Sequence, residues 1–506
     1  MAETISQKQI FSSPFLGEYR YRLEPYPYQH EVLERSRELI TFALFMEQAT
    51  GKTMVTANTL GWLYLRGLAT LGIVVAPMGV HEQWVDEELP KHMSPDVNYV
   101  AFAWNNNAPK ATDALLKTLA VDPRLVIITF NIESVSTPRA RKWIQYLLLN
   151  RPGLLAIDEA TDIKRPSALR TRTLWQLGEY AKYRRILTGT PASEGPFGYY
   201  SMFRFLHWQI LGYRTYAEFK ADFAEWAQLR GWDDQVKLDG KGRPIMVVAR
   251  DKAGNPKYKN LDRLNALVEK RCFRITKQEA LPWLPPKQYQ RRLFELVPQQ
   301  RRLYNEMRHE YVTEFQGKTY YGDLAITRML RMQQIACGYL PSDEEEPHQL
   351  VTPKNPRIQC LEDLLEEVTG QGIIWARFSA DIDQIMKLLG DSAVRYDAAV
   401  ETEQRTLNKH RYLNGEVRWL VGNPKAGGRG LNLQVGTTVV FYSNYFDLEW
   451  RQQAEDRSHR PGMDPRGVVF YDITARSTID EYIIKRLVAK QNIADTVTGD
   501  PPHEWL

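Results

Sequence analysis

Residues 46–53, which read Met-Glu-Gln-Ala-Thr-Gly-Lys-Thr, decide the fold. A strand-like apolar run (39–45) precedes them and a helical run (54–65) follows. A turn of this kind presents backbone N–H groups at the positive end of a helix dipole, where phosphate binds well. Lys52 would then reach the β- and γ-phosphates and the Thr53 hydroxyl would hold Mg²⁺. The first glycine of the usual phosphate-loop pattern is missing, so an ordinary helix start stays open on this stretch alone.

An acidic pair follows a second apolar run, residues 154–157. At the end of a buried strand, Asp158 would lie near Mg²⁺ and Glu159 near the attacking water. Asp158 comes 106 residues after Lys52, and 30 residues before Thr188 of a Leu-Thr-Gly-Thr-Pro segment. Acidic pairs at strand ends are commonly just solvated, but the ordered set of three features predicts an ATPase.

A third feature, residues 453–462, contains two arginines three positions apart. On a helical turn Arg457 and Arg460 would share a face, and paired guanidinium groups suit a polyphosphate whose charge spreads in the transition state. The alternative is a basic surface helix. Residues 424–433 come before it and form a glycine-rich loop, in which the backbone can approach phosphates closely.

Short apolar runs elsewhere alternate with helical stretches, which is typical of parallel sheets with crossover helices. Five strands are predicted early in the chain and five late, so the pattern indicates two sheets rather than one. The first set is residues 39–45, 71–76, 125–130, 154–157 and 185–187, and the second is residues 372–376, 393–396, 417–421, 438–442 and 467–473.

Composition limits the class of protein. The chain has 506 residues, is 43% hydrophobic and 25% charged, and carries a formal charge of +5, which excludes collagen-like, disordered and disulfide-scaffold proteins. Three widely spaced cysteines favour a reducing compartment. No apolar run approaches the roughly 20 residues that span a bilayer, and residues 1–15 do not read as a secretion signal. The sequence therefore predicts a soluble, intracellular α/β protein.

Two stretches between the sheets interrupt this pattern. Residues 235–259 read as a small basic hairpin, because two turn signals flank the strand-like residues 245–248. A solvated surface hairpin is the simpler interpretation, and an element that wedges between DNA strands is the alternative. Residues 341–356 are acidic and bracketed by prolines, which predicts a linker.

Together these motifs resemble the Swi/Snf-type ATPases of helicase superfamily two, most of all their compact phage and prophage members. The likeness runs from about residue 22 to residue 490. It includes residues 23–29 (an adenine-recognising segment), residues 76–84 and 128–130 (strand-tracking motifs), and the acidic box at residues 158–164. Residues 271–277 and 284–287 resemble the stretch that leads into the second helical protrusion, and residues 325–340 resemble the helix that precedes the second lobe.

The resemblance implies two RecA-like α/β lobes, with helical protrusions between them, that bind ATP and Mg²⁺ in a cleft. Catalytic residues would be Lys52, Thr53, Asp158, Glu159, Gln453, Arg457 and Arg460, with Thr53 and Asp158 as metal ligands. Nucleotide contacts would be Gln29, Ala49, Thr50, Gly51, Lys52, Thr53, Gly430 and Asn432. Nucleic-acid contacts would be Thr129, Lys164, Lys425 and Arg429.

The sequence departs from the family pattern at several positions, of which Thr161 concerns the coupling of the acidic box to the opposite lobe rather than hydrolysis. Thr161 stands where the family usually has His, Ala49 and Thr50 replace Gly and Leu, and Met463 replaces a glutamine. The expected division is an N-terminal extension (1–20), a first lobe (21–208), a helical protrusion with the basic hairpin (209–290), a second protrusion (291–340), the linker (341–356), a second lobe (357–490) and a tail (491–506).

The expected function is an ATP-dependent motor that translocates on double-stranded DNA and remodels protein–DNA complexes, forks or branched DNA. It would act as a monomer in the cytoplasm, in a bacterial host if the gene is a phage's. A strand-separating DNA or RNA helicase is one alternative, and single-stranded DNA or RNA is then the expected partner. A nucleotide-gated DNA-binding module without useful turnover is another.

Overall fold

The computed structural model describes residues 18–106, 109–193, 195–230, 234–252, 254–315, 318–321, 325–340, 349–352, 354–425 and 432–498. Its described residues form two compact units. Unit 1 contains residues 18–280 and 493–498, and unit 2 contains residues 281–492.

The strands of the described residues run in chain order as follows. They are β1 Thr41–Met46, β2 Leu71–Ala76, β3 Tyr99–Ala103, β4 Leu125–Asn131, β5 Gly153–Asp158, β6 Tyr183–Leu187, β7 Trp226–Gln228, β8 Met246–Val248, β9 Cys272–Ile275, β10 Gln288–Phe294, β11 Val312–Phe315, β12 Lys318–Tyr321, β13 Tyr339–Leu340, β14 Gln349–Leu350, β15 Gly372–Trp375, β16 Ala393–Tyr396, β17 Trp419–Gly422, β18 Thr438–Phe441 and β19 Val469–Ala475.

The α-helices are α1 Pro27–Ser36, α2 Lys52–Leu65, α3 Val80–Gln83, α4 Leu89–His92, α5 Pro109–Ala120, α6 Pro138–Asn150, α7 Leu169–Gly178, α8 Gly198–Leu206, α9 Tyr216–Phe223, α10 Leu261–Glu269, α11 Lys277–Ala280, α12 Pro298–His309, α13 Ala325–Cys337, α14 Pro356–Glu367, α15 Ser379–Leu389, α16 Thr402–Leu413, α17 Leu448–Glu455 and α18 Ile479–Thr498. A π-helical turn, Trp84–Glu88, joins α3 to α4. None of these helices is both long and apolar enough to cross a bilayer.

Unit 1 is built on a seven-stranded parallel sheet in the order β3-β4-β2-β5-β6-β1-β9. β2 is apolar along its whole length, and both β2 and β4 are buried at every position. Side chains on the two faces pack into two separate cores under the helices. The parallel order brings the carboxyl ends of β1, β2, β5 and β6 to one edge of the sheet, where ligands bind in folds of this type.

Unit 2 contains a six-stranded parallel sheet in the order β10-β19-β18-β15-β17-β16, again with a core on each face. The predicted α/β class with two parallel sheets is therefore confirmed. Three strands join these sheets that the sequence did not indicate, namely β3, β9 and β10. The last two lie inside the stretch expected to be a helical protrusion, residues 209–290, or at its end.

Within the basic stretch, the predicted strand is present as β8, and it pairs antiparallel with β7. The predicted linker falls mostly outside the described residues, which resume with β14 and then α14 from Pro356.

The thiol groups of the three cysteines have raised pKa values. Burial raises the pKa of Cys272 to about 12, and it raises the pKa values of Cys337 and Cys360 as well.

Candidate active site

The phosphate loop joins the end of β1 to the start of α2. Ala49 has φ 65° and Gly51 has φ 93°, so two residues of the loop adopt left-handed backbone conformations. Gly51 directly precedes Lys52, the first residue of the helix. A glycine is needed at 51 for a second reason: a Cβ there would lie 2.3 Å from Gln29 Nε2. The loop therefore has the strand–turn–helix context expected of an anion site.

Lys52 is almost completely buried, with 7% of its surface exposed. Its ammonium donates to the carbonyl oxygens of Met46 at 2.8 Å and of Glu47 at 3.1 Å, both in its own loop. Thr53, one residue further into the helix, is half-buried. The positive charge is thus held inside the loop at the amino end of α2, where it adds to the dipole of the helix.

Gln29 lies beside the phosphate loop and is hydrogen-bonded to it. Its Nε2 donates to the Thr50 carbonyl at 3.0 Å, and its Oε1 accepts from the backbone N–H of Tyr26 at 2.9 Å. The Tyr28 hydroxyl donates to the same Thr50 carbonyl at 2.9 Å. The segment expected to recognise adenine is therefore connected directly to the loop expected to bind phosphate.

The acidic pair is at the carboxyl end of β5. Asp158 is its last residue, and Glu159 follows with φ 51° in the left-handed region. Asp158 Oδ2 accepts a hydrogen bond from the Trp84 indole N–H at 2.9 Å, and its Oδ1 accepts from the Glu159 backbone N–H at 3.0 Å. Backbone strain of this kind at a non-glycine residue is concentrated at functional sites.

Glu159 has one partnered oxygen and one that is unpartnered. Gln48, in the phosphate loop, donates to Glu159 Oε1 at 2.6 Å. Glu159 Oε2 is buried and has no hydrogen-bond partner among the described residues. A buried carboxylate oxygen without a donor is costly unless something else donates to it. This oxygen is therefore free to accept a hydrogen bond from a water molecule at the site.

The pKa of Asp158 depends on influences that act in opposite directions. Burial raises the pKa of Asp158 to about 6, and the neighbouring Glu159 carboxylate adds to this, while the Trp84 hydrogen bond and the Lys52 charge act in the opposite direction. A site that holds two carboxylates together is stabilised by a cation. One carboxylate and one hydroxyl, from Asp158 and Thr53, form a donor set that fits Mg²⁺, which keeps waters and substrate phosphates as its other ligands.

The Leu-Thr-Gly-Thr-Pro segment after β6 packs against the phosphate loop. A Cβ on Gly189 would lie 3.1 Å from the Gln48 backbone nitrogen and 3.4 Å from Glu47 Cα. Only a residue without a side chain allows this close approach. The three sequence features of unit 1 are therefore brought together at one edge of the sheet.

The arginine segment belongs to unit 2, and its local structure differs from the expectation. Helix α17 ends at Glu455, so Arg457 and Arg460 lie in the turns that follow it. The expectation that both project from one helical turn is not met, because α17 ends before them and the Arg460 backbone N–H bonds to the Ser458 carbonyl, at 3.1 Å, rather than to a carbonyl four residues earlier. Gln453 is inside the helix, nearly buried, and donates to Glu449 Oε1 at 3.3 Å.

A buried ion-pair cluster fixes this segment within unit 2. Lys287 Nζ lies 2.8 Å from Glu455 Oε2 and 3.1 Å from Asp456 Oδ1. The His459 ring is hydrogen-bonded to the Pro285 carbonyl, with Nε2 2.7 Å away. Residues on both sides of the helix end are thus anchored to the chain just before β10, which restricts where Arg457 can point.

Other expected contacts of unit 2 fall near the glycine-rich loop. Arg460 donates to the side-chain oxygen of Asn432. Lys425 is exposed, and its backbone N–H is bonded to Asn423 Oδ1 at 2.9 Å. Arg429 and Gly430 lie outside the described residues.

The expected nucleic-acid contacts of unit 1 have different surroundings. Thr129 is fully buried in β4, and its hydroxyl donates to the His81 carbonyl at 2.6 Å. Contact between this hydroxyl and nucleic acid would require that bond to break. Lys164 is half-buried just after the acidic box, and its carbonyl accepts from the Ser201 hydroxyl at 2.9 Å.

Sequence reasoning missed the partners that hold these groups in place. Trp84 lies 74 residues before the carboxylate it contacts, and Gln48 lies 111 residues before Glu159. Lys287 is 168 residues before Glu455. No spacing rule links residues so far apart. The only signal for Gln48 is its place inside the phosphate loop.

Comparisons with known proteins identify the family of both parts of the chain. The sequence profile of the SNF2-related domain matches residues 29–337, and that of the helicase conserved C-terminal domain matches residues 356–462. The chain is 25% identical over 492 residues to protein p41 of Acyrthosiphon pisum secondary endosymbiont phage 1, covering 93% of this chain and 97% of that protein.

Two eukaryotic relatives are much longer. The chain is 24% identical to the chromodomain-helicase-DNA-binding protein 1-like of Danio rerio, covering 89% of this chain and 41% of that protein. It is 23% identical to the transcription regulatory protein SNF2 of Saccharomyces cerevisiae, covering 88% of this chain and 26% of that protein. The chain therefore spans less than half the length of these two proteins.

Among solved structures, the Sulfolobus solfataricus SWI2/SNF2 ATPase core in complex with dsDNA matches with a TM-score of 0.39 and 20% identity, covering 96% of each chain. The family assignment rests on the sequence profiles, the first of which covers more than half of the chain. With both profiles matched in order, the chain belongs to the SNF2-related family of helicase-like ATPases.

Proposed function

We propose that this protein hydrolyses ATP to translocate along double-stranded DNA, and that it thereby remodels protein–DNA complexes, forks or branched DNA. The observation that carries the proposal is the cluster in unit 1, where the phosphate loop and the acidic pair meet through the Gln48–Glu159 hydrogen bond. A site without useful turnover would not need a buried, unpartnered carboxylate oxygen beside a phosphate loop.

Each residue of the cluster has a distinct role in this proposal. The loop amides and Lys52 bind the β- and γ-phosphates, while Gln29 positions the base. Thr53 and Asp158 would hold Mg²⁺, whose positive charge would offset the negative charge of the phosphates. Glu159 Oε2 accepts a hydrogen bond from the attacking water and orients it toward the γ-phosphorus. Gln48 keeps the other oxygen of Glu159 fixed.

In unit 2, Gln453, Arg457 and Arg460 are proposed to act on the same nucleotide. The guanidinium groups of the two arginines would stabilise the charge that spreads over the transferred phosphoryl group, an effect worth about 10³–10⁵ in rate in phosphoryl-transfer enzymes. Family membership supports this role. Hydrolysis would then be coupled to a change between two conformations, which is how such motors convert it to stepping. The protein would act as a monomer inside the cell.

Steady-state ATP hydrolysis tests the proposal. The rate is measured without nucleic acid and with duplex DNA, single-stranded DNA or RNA, and Lys52→Ala serves as the blank. We expect duplex DNA to give the largest stimulation and Lys52→Ala to lose activity by a factor of about 10³ or more. Stimulation by single strands or RNA alone would favour a strand-separating helicase instead. A rate equal to the blank under all conditions would leave the binding-module alternative.

Translocation requires a second assay. A third DNA strand bound in the major groove of a duplex is displaced by a motor that moves along the duplex, without separation of the two strands. We expect ATP-dependent displacement of the third strand, with no displacement by Lys52→Ala. Release of a strand from a simple forked duplex, with no effect on the triplex, would contradict duplex translocation.

A further inference from the structure

The basic insertion, defined as residues 224–260, contains eight basic and five acidic residues. Its net charge of +3 is concentrated in 37 residues of a chain whose total is +5. The assignments made so far for ATP hydrolysis do not use any residue of it. The described residues of the insertion, 224–230, 234–252 and 254–260, belong to unit 1.

Two rings of backbone hydrogen bonds hold the insertion together. In the first, Leu229 donates to Ile245 at 2.7 Å, Ile245 to Lys237 at 2.9 Å and Lys237 back to Leu229 at 2.8 Å. In the second, Glu225 donates to Lys257, Lys257 to Ala249 and Ala249 back to Glu225, at 2.7–3.1 Å. In each ring, three chain segments are therefore hydrogen-bonded to one another, and few backbone groups of these residues remain for other partners.

Side chains of the insertion face water rather than a core. Apart from Ala224 at its start, no described residue of the insertion is buried. The acidic residues are largely neutralised locally: Glu225 pairs with Lys257 at 3.3 Å, Asp234 with Arg230 at 3.2 Å and Asp239 with Arg243 at 2.9 Å.

Four exposed lysines have no carboxylate oxygen of a described residue within 4 Å, namely Lys237, Lys241, Lys252 and Lys259. The charge of Lys259 also acts on Asp222, which is already paired with Arg263 at 3.2 Å. Ammonium groups that are exposed and unneutralised on a rigid support bind a polyanion by releasing its condensed counterions. The aromatic rings of Trp226 and Tyr258 are packed against Phe197, with ring centroids 6.2 and 5.7 Å apart. Neither ring is therefore presented for base stacking, which single-strand binding generally uses.

The base of the insertion adjoins the ATPase motifs of unit 1. Phe197, which holds Trp226 and Tyr258, immediately precedes Gly198, and a Cβ on Gly198 would lie 3.5 Å from Lys164 Cβ and 3.7 Å from the Pro191 carbonyl oxygen. Pro191 ends the segment that packs against the phosphate loop. A displacement of the insertion can therefore be transmitted to the nucleotide site through a few packed residues of the same unit.

We propose that the basic insertion is a docking surface for the phosphate backbone of duplex DNA, independent of base sequence. The four unpaired lysines supply the contacts, and the closed backbone rings keep them in place. This inference rests on the proposed function, because it assigns the insertion to the same DNA substrate. It goes beyond that function by locating a contact outside the motifs shared with the family.

The test uses the full-length chain with all four lysines changed to Gln. A matched control changes four other exposed lysines of unit 1 to Gln, on helices that carry no part of the insertion: Lys91, Lys110, Lys117 and Lys142. Binding of a fluorescent blunt duplex is measured without nucleotide over a range of salt concentrations. Thermal melting of both variants checks that the fold is retained.

We expect duplex affinity near 0.1 M salt to fall about tenfold or more in the insertion variant. The slope of log affinity against log salt should become shallower by about 2 to 4, since each lost phosphate contact removes about 0.9. The control should keep the slope of the unmodified chain. The duplex concentration for half-maximal stimulation of ATP hydrolysis should rise in parallel.

Equal slopes in the insertion variant and the unmodified chain would overturn the inference, as would a loss seen with single-stranded DNA alone. These results differ from a failure of the proposed function. In that case duplex DNA would not stimulate ATP hydrolysis of the unmodified chain at all.

Discussion

The acidic cluster around Asp158 and the basic insertion are built in opposite ways. In the cluster, charged side chains are buried and hydrogen-bonded by neighbours on other elements, as in the Trp84–Asp158 contact. In the insertion, the backbone makes the bonds and the charged side chains extend into water. A site that carries out chemistry needs a fixed geometry in a dry environment, whereas a surface that grips a uniform polyanion needs only charge at roughly the right spacing.

The largest effect is expected from Glu159→Gln. The substitution keeps the shape of the side chain and its bond to Gln48, but it removes the negative oxygen that is expected to orient water. We expect kcat to fall by about 10²–10⁴ with ATP binding retained, in line with the loss of a general base. Glu38→Gln, at an exposed position of the same unit, is the control. Unchanged turnover in Glu159→Gln would remove Glu159 from the mechanism.

Replacement of Trp84 by Phe tests whether the cluster depends on its neighbours. It deletes the indole N–H that donates to Asp158. The loss of a hydrogen bond to a buried charged group destabilises a protein by about 1–3 kcal/mol. We expect kcat to fall roughly tenfold or more, together with a higher Mg²⁺ concentration for half-maximal activity. The basic insertion offers no equivalent position, because its ring bonds are made by backbone.

Trp104→Phe is the matched control for that substitution. Trp104 is also buried in unit 1, and its indole N–H donates to Asn106 Oδ1 at 2.6 Å, away from the acidic cluster. It should lower the melting temperature about as much as Trp84→Phe does. If both variants show the same Mg²⁺ dependence, Trp84 is merely a packing residue.

Two valine substitutions compare the regions by stability. Val74 is completely buried in β2, so Val74→Ala should lower the free energy of unfolding by about 2 kcal/mol through lost burial and an unfilled cavity. Val247 lies half-exposed in β8, and Val247→Ala should cost less than about 1 kcal/mol. Melting temperatures of the two variants measure the difference. Equal losses would mean that the insertion contains more of a core than its burial indicates.

The smallest effect concerns a buried acid without a proposed catalytic role. Burial raises the pKa of Asp381 in unit 2 to about 7, from an ordinary value of 3.8, and Ser443 donates to its Oδ2 at 2.6 Å. Since the folded state binds the proton more tightly, stability should fall as pH rises from about 4 to 7 and then level off. Asp381→Asn, which imitates the protonated acid, should remove that part of the pH dependence.

Melting temperatures at pH 5 and pH 8 check this prediction. At pH 8 the melting temperature of Asp381→Asn should exceed that of the unmodified chain by a few degrees at most. At pH 5 the difference should be smaller. The opposite order would show that Asp381 is ionised in the folded state near neutral pH.

The sequence indicated the central strands of both sheets because their continuous apolar runs are buried on two faces. All three strands that it missed lie at sheet edges. β10 has polar or charged side chains at four of its seven positions, so it lacks the apolar run that marks an interior strand. The five residues of β3 are apolar, but none of them is fully buried. Edge strands are exposed along one side, and they tolerate polar residues for that reason.

At the candidate site, sequence order was enough to find the phosphate loop and the acidic pair, because each has a characteristic local pattern. It could not find Trp84 as the partner of Asp158, since that contact depends on how a π-helical turn after β2 packs beside the end of β5. It also named Thr129 as a nucleic-acid contact, although β4 is buried at every position, Thr129 included.

The cysteines make one spectroscopic experiment practical. Because burial keeps the thiols of Cys272, Cys337 and Cys360 largely protonated at neutral pH, maleimide dyes should react with them slowly. Gly240, in a turn of the basic insertion, has open space around the position of an added Cβ. A single dye on Gly240→Cys would therefore report, in real time, each arrival and departure of a labelled duplex during the ATP cycle.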